Sequence, residues 1–107
     1  MNQTTTIPFT VTPEAAARVA ELGMQRELDQ MLRHTLETVS ALQSIEVHLA
    51  EPYDTGDTPS VIIEARRTGP LLLPDRTERQ WGAWKVRTFP PEVCEHFLMM
   101  TAHEANS

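Results

Sequence analysis

The apolar and polar residues of this chain alternate in short runs, and the period of that alternation changes several times. Residues 7–11 alternate with a period of two and predict a short strand, and Pro8 favours a position at a sheet edge. Residues 45–49 and 61–66 follow the same pattern and predict two half-buried strands. We assign residues 80–89 to a fourth strand, with Trp84 and Val86 facing inward and Trp81, Lys85 and Arg87 facing outward.

A helix is predicted between the first two strands. Thr12 and Pro13 supply an N-cap hydroxyl and a proline at the first helical position. On a helical wheel one apolar stripe runs to about residue 39 and predicts the face that covers the sheet: Ala17, Ala20, Met24, Leu28, Met31, Leu32, Thr35 and Val39. Ala15, Val19 and Leu22 form a second apolar stripe on a different side of the helix. The apolar face changes at Gly23, where we expect a bend or a second buried contact. We interpret the second stripe as a candidate dimer surface.

A last helix is predicted from Pro91 to about Ala102, and the proline- and glycine-containing stretches 51–60 and 68–78 are assigned as loops. The fold class that follows is α+β, a two-layer arrangement of an antiparallel sheet with helices on one face, in the order β-α-β-β-β-α. We expect residues 1–107 to form a single domain, with flexible termini at 1–5 and 103–107.

With helices on one face, the opposite face of the sheet is predicted to be exposed and mostly charged. Oppositely charged side chains on neighbouring strands can pair there, and Ile62 and Trp81 interrupt the polar surface. We therefore predict this face as the candidate binding surface, formed by Trp81, Ile62, His48, Glu64, Arg66, Lys85 and Arg87.

The distribution of charge narrows the classes of partner. The 107 residues have a net charge of -6, and residues 1–60 carry all of it, with nine acids and three arginines. All six bases of the second half lie within residues 66–87, interleaved with Trp81 and Trp84, as in a surface for single-stranded nucleic acid. The overall acidity opposes attraction to phosphate, so we expect no nucleic-acid partner.

The single cysteine and the four histidines restrict the chemistry. Cys94 excludes an internal disulfide and fits a small core residue, while Cys94 and His96 face opposite ways on the predicted helix. No two histidines have the spacing of paired ligands on one element, so we predict no metal site, no cofactor and no catalytic group. Because there is neither an apolar run of membrane-spanning length nor a signal-peptide pattern, we expect no membrane contact and a cytoplasmic location.

Two short motifs resemble known families. Asp54-Thr55-Gly56 is similar to the active-site triplet of aspartic proteases, but its flanking residues differ and no glycine-rich flap follows. The stretch 7–19 resembles the strand-to-helix start of A-type iron-sulfur carrier proteins. That family's chemistry depends on three cysteines, and this chain has one. The likeness is therefore explained by the same N-cap residues at the start of a helix, and it implies no cofactor.

The favoured hypothesis is a non-enzymatic protein-binding or adaptor domain that acts as a homodimer. One alternative is a small-molecule-binding or enzymatic domain with a pocket near the loops 51–60 and 68–78. Its polar groups would come from Tyr53, Asp54, Asp57, His48 and Glu64. A further alternative is an acidic secretion-type chaperone, a class that is similarly short, acidic and dimeric.

Overall fold

The computed structural model describes residues 7–50, 60–68 and 76–104. The chain forms, in order, β1 (Phe9–Val11), α1 (Pro13–Leu22), α2 (Gln25–Thr38), β2 (Leu42–Leu49), β3 (Val61–Thr68), α3 (Thr77–Thr88), α4 (Pro91–Cys94) and β4 (Phe97–Glu104). The α+β class is confirmed. Within the described residues, every helix is too short or too polar to cross a membrane.

The four strands form one mixed sheet in the order β1-β2-β3-β4. β1 pairs with β2 in parallel, β2 with β3 antiparallel, and β3 with β4 in parallel. The predicted antiparallel sheet is confirmed only in part, because the sheet is mixed and only β2 and β3 pair antiparallel among the described strands. The predicted element order is likewise confirmed only in part, since it departs from the structure after β3. The chain consists of two β-α-α-β units, each a pair of parallel strands joined by two helices, and the units meet at the antiparallel pair β2-β3.

The helical crossovers of these two units have opposite hands. The parallel pair β1-β2 runs opposite to the parallel pair β3-β4, and both crossovers advance in the same direction across the sheet. Residues from both helix pairs belong to one buried cluster against one face of the sheet. One crossover must then be left-handed, an exception to the strong preference for right-handed connections.

The start and end of α1 follow from local sequence. The Thr12 hydroxyl accepts a hydrogen bond from the Ala15 N–H at 3.2 Å, and Pro13 occupies the first helical position, as predicted. Gly23 ends the helix in a left-handed conformation with φ 69°. The N–H groups of Gly23 and Met24 donate to the carbonyls of Ala20 and Val19, which is a Schellman motif. The predicted bend at Gly23 is thus a complete break between two helices.

That break changes which face of α1 is buried. Ala15 and Val19 lie in the core against the sheet, whereas Ala17 and Ala20 are exposed. The predicted dimer stripe is therefore wrong at Ala15 and Val19, because the break rotates α1 relative to α2 and gives each helix its own buried side. Leu22 is half-buried at the end of α1.

The predicted fourth strand, residues 80–89, is the helix α3. Trp81, Trp84 and Lys85 lie on its inner side with the helical spacing i, i+3, i+4, and Val86 is 67% exposed. Glu78 in the first turn and Lys85 and Arg87 in the last complement the helix dipole.

The predicted last helix is wrong beyond its first turn. Only Pro91–Cys94 is helical, and residues 97–104 pair with β3 as the strand β4. Phe97 and Met99 enter the core, and Leu98 and Met100 point to the other side. Residues 103 and 104, predicted to be a flexible terminus, belong to this strand; residues 1–5 and 105–107 lie outside the described residues.

A buried hydrogen-bond chain joins α2 to α3. The Trp81 Nε1–H donates to the Thr35 hydroxyl at 3.0 Å, and that hydroxyl donates to the Met31 carbonyl at 2.7 Å. Thr35 and Met31 have no exposed surface, and Trp81 is 3% exposed. This hydrogen bond gives the buried indole N–H a partner and fixes the position of α3 over the sheet.

Candidate functional site

The face of the sheet opposite the buried cluster is the candidate functional site, and we call it the open face. The core takes alternate residues of β2, β3 and β4, so the residues between them point the other way. Strand register places these residues in rows across the sheet. The open face consists of Thr10 on β1, Ser44, Glu46 and His48 on β2, Ile62, Glu64 and Arg66 on β3, and Leu98, Met100 and Ala102 on β4.

A polar cluster occupies the β2-β3 part of the open face. Glu46 lies directly opposite Glu64 in the antiparallel register, and His48 follows two residues along β2. His48 Nε2 is 3.3 Å from Glu64 Oε1, and the Arg66 Nε–H donates to Glu64 Oε2 at 3.1 Å. The Glu64 carboxylate is therefore held from two sides. These side chains are half-buried, which strengthens their interactions relative to fully solvated groups.

An apolar strip occupies the β3-β4 part of the open face. Ile62 is paired in register with Leu98, and Glu64 with Met100. Leu98 is 51% exposed and Met100 is 42% exposed, although β4 lies beside a fully packed core strand. Ile62 itself is 5% exposed and contributes little accessible surface to the strip. A cluster of large apolar side chains on a sheet face indicates a contact surface.

The outer edge of β4 is closed by side chains of α3. The Lys85 ammonium donates to the carbonyls of Phe97 at 2.7 Å and Cys94 at 3.2 Å. Two α3 turns earlier, Glu78 Oε2 accepts from the Thr101 N–H at 2.7 Å and from its hydroxyl at 2.9 Å. An edge strand whose backbone groups are occupied is a poor template for adding another strand. The Phe97 carbonyl and the Thr101 N–H are thus already occupied on this edge.

A second concave region lies between α2 and α3. A cavity of about 240 Å³ is lined by His34, Trp84 and Arg87, among others. The His34 ring stacks on Trp84 with 3.7 Å between ring centroids. Burial lowers the pKa of His34 from its ordinary value, the Arg87 charge lowers it further, and Glu37 acts in the opposite direction. This histidine is a neutral stacking partner at neutral pH.

A third region is a cavity of about 380 Å³ at the junction of α3 and α4, lined by Lys85, Phe89 and Cys94 among others. The Cys94 thiol donates to the carbonyls of Lys85 and Phe89 at 3.4 Å each. Cys94 is half-buried and packs against the core, as its prediction as a small core residue implied. His96, two residues further on, approaches Glu95 at 3.6 Å.

The structure brings together four of the seven residues predicted for the binding surface. Ile62, His48, Glu64 and Arg66 share the open face, although Ile62 is buried there. The other three belong to α3 and do not lie on the open face. Trp81 is buried in the core, and Lys85 binds the edge of β4. Arg87 lines the cavity between α2 and α3 together with His34. One difference accounts for all three, which is that residues 80–89 fall on the helix α3 and not on the predicted strand.

Two prominent residues of the open face, Leu98 and Met100, are absent from the predicted binding surface because they lie within the segment predicted as the last helix. The uninterrupted run Phe97-Leu98-Met99-Met100 fits a strand with two covered faces as well as a helix, so periodicity alone does not separate them. The length of the segment was the available signal. A helix that starts at Pro91 has only six residues before this run, which is short for a helix.

The alternative pocket near the loops 51–60 and 68–78 falls mainly on residues outside the described part of the chain, including Tyr53, Asp54 and Asp57. Of its proposed polar groups, His48 and Glu64 are described, and they converge on the open face. Comparisons of the chain with protein-family models, with curated proteins and with solved structures found no match.

Proposed function

We propose that this chain is a non-enzymatic protein-binding domain that acts as a homodimer through the open face of its sheet. The observation that carries the proposal is the exposure of Leu98 and Met100, two large apolar side chains that lie next to each other on one strand face. Water contact with this strip is unfavourable by about 25 cal/mol for each Å² of apolar surface. A partner surface that covers the strip would remove that cost.

The charges of the open face favour a second copy of the chain as the partner. The face carries both signs of charge next to the apolar strip, with the carboxylates of Glu46 and Glu64 and the guanidinium of Arg66. In a two-fold dimer each patch meets the same patch of the partner, so a face with both signs can be complementary to itself. The basic group of one protomer would then lie near the acidic groups of the other.

The outer edge of β4 favours packing of face against face over strand addition. Side chains of α3 bind the Phe97 carbonyl and the Thr101 N–H on this strand. Occupied backbone groups disfavour the addition of another strand, so we propose that the two open faces pack against each other.

A charge placed in the apolar strip tests the dimer. We expect wild-type protein to show twice the 12.1 kDa chain mass in light scattering. The substitution Leu98→Lys should raise the dimer dissociation constant at least about 30-fold, because it removes a central apolar contact of roughly 2 kcal/mol. The matched control is Val86→Lys, which places the same charge at an exposed residue of α3.

Two outcomes would overturn the proposal: a wild-type protein that stays monomeric at high concentration, and equal weakening by Leu98→Lys and Val86→Lys. Circular dichroism of each variant establishes that it is folded. The cytoplasmic location is part of the same proposal and is consistent with the single free thiol of Cys94. The pocket-containing and chaperone alternatives gain no specific support from the described residues.

A further inference from the structure

We propose that Glu46, His48 and Glu64 form a binding site for a divalent transition metal ion, with Zn²⁺ as the expected occupant. Within the described ranges these three residues form a set whose potential ligand atoms all lie within 4.8 Å of one another. Two carboxylates and one imidazole are suitable ligands for zinc, and an imidazole selects against Mg²⁺ and Ca²⁺. The inference does not depend on the proposed dimer.

The spacing of the ligand atoms suits a metal of this size. Ligands that bind zinc at about 2.0 to 2.2 Å in a tetrahedron lie roughly 3.3 to 3.6 Å from one another. The Nε2 atom of His48 and the Oε1 atom of Glu64 are already 3.3 Å apart. Glu46 lies on the same strand face as His48 and opposite Glu64. Its carboxylate lies within 4.8 Å of the other two ligand atoms, so a small side-chain movement brings it to the spacing of zinc ligands.

The contacts of His48 suit a ligand role for its Nε2 atom. Its Nδ1 atom lies 3.4 Å from the Leu49 carbonyl, which can only accept. With the ring proton on Nδ1, the Nε2 lone pair is directed towards Glu64 Oε1 at 3.3 Å. Without a metal, an Nε2–H that donates to Glu64 fits the same geometry, and a bound ion would take the place of that proton between the two atoms.

Arg66 orients the carboxylate for this role. Its Nε–H binds Glu64 Oε2 and leaves Oε1 directed towards His48. Groups that hold metal ligands in place in this way raise the affinity of a site. The two carboxylates and Arg66 together have a net charge of -1, which a divalent ion converts to +1. Three protein ligands leave a coordination position for water or for a group from a partner.

Calorimetric titration of metal-free, full-length protein with ZnCl₂ tests the site. We expect saturable binding of one Zn²⁺ per chain, no competition by Mg²⁺, and binding that weakens on acidification because protons compete for the imidazole. His48→Gln and Glu64→Gln should each weaken binding at least about 10-fold. His96→Gln removes a histidine outside the cluster and Cys94→Ser removes the thiol, and both variants should bind like the wild type.

The ring nitrogen shifts of His48 give a second readout that does not depend on the variants folding well. Zinc should change the Nε2 resonance of His48 and leave Nδ1 protonated. The proposal is overturned if wild-type protein shows no saturable binding at millimolar zinc. It is equally overturned if His48→Gln, shown to be folded by circular dichroism, binds as tightly as the wild type, or if zinc changes the ring of His96 instead.

Discussion

At the scale of single residues, Thr35 and Trp81 show how one polar contact determines the place of a helix. An indole in the core is stable only when its N–H has a partner, and the Thr35 hydroxyl supplies that partner while it donates to the Met31 carbonyl. The sequence showed Thr35 on the apolar stripe of a helix but gave no sign of its partner. Trp81 lies 46 residues further along the chain, in a segment that the sequence predicts as a strand.

Replacement of Thr35 by Val should lower the free energy of unfolding by about 1 to 3 kcal/mol, because it leaves the buried Trp81 N–H without an acceptor. Thr38→Val is the matched control. Thr38 makes the same hydrogen bond to a helix carbonyl four residues earlier, at 2.7 Å, but on the exposed side of α2. Its replacement should change stability by less than about 0.5 kcal/mol. Equal losses in urea unfolding would contradict the role given to Trp81.

His34 makes stability depend on pH. Burial and Arg87 lower the pKa of His34 in the folded state below its ordinary value of 6.5, so the unfolded chain binds this proton more tightly. The contribution of His34 to stability is thus complete above pH 6.5 and decreases as the pH falls from there through the lower folded-state value. An NMR titration should place the midpoint of His34 below 6.5.

Two substitutions check the cause of this shift. Arg87→Gln should raise the pKa of His34 towards its ordinary value, and Glu37→Gln should lower it further, since these two charges act in opposite directions. A midpoint of His34 at or above 6.5 in the wild type would contradict the predicted direction.

At the scale of helices and strands, the sequence predicted the first part of the chain well because local signals and tertiary structure agree there. Thr12 and Pro13 mark the start of α1, and the alternation of apolar and polar residues marks β2 and β3. In α3, tryptophan and valine have a high strand propensity. The segment is nevertheless helical, and it is held by packing on α2 through the Trp81–Thr35 hydrogen bond. In β4, helix-forming Leu, Met and Ala are held in a strand by pairing with β3.

A comparison of two glycines tests the account of the α1-α2 junction. Gly23→Ala should lower the free energy of unfolding by about 1 to 2 kcal/mol, because φ at this position is 69° and an L side chain is strained there. Gly82→Ala lies inside α3, where an added Cβ meets nothing within 4 Å. It should raise stability by roughly 0.5 to 1 kcal/mol through helix propensity.

Thermal unfolding of the two variants should therefore shift in opposite directions. If Gly23→Ala left the melting temperature unchanged, the Schellman motif would not be needed to end α1. If Gly82→Ala were strongly destabilising, α3 would not be the helix described.

At the scale of the whole molecule, the arrangement of two β-α-α-β units explains why the open face could be predicted only in part. The charged residues of β2 and β3 could be identified from their alternation alone. The apolar strip depends on β4 lying parallel to β3, which requires a crossover through α3 and α4 and which no local pattern encodes. The preference for right-handed crossovers also disfavours this topology, because one of the two is left-handed.

The two faces of the sheet differ in composition. Helices and core occupy one side of the sheet, and the other side presents the strip of Leu98 and Met100 next to the cluster of Glu46, His48 and Glu64. Side chains of α3 occupy backbone groups on the outer edge of β4. We propose that this chain meets a second copy of itself through the open face.

The most direct test is a dilution series of ¹⁵N-labelled protein followed by NMR. Dimerisation through the open face predicts concentration-dependent shifts at the amides of Ile62, Arg66, Leu98 and Met100, and no such shifts at the exposed side of α3 around Val86. The Leu98→Lys variant should show the dilute-state spectrum at every concentration. Shifts confined to α3, or spectra that do not change with concentration, would contradict the claim.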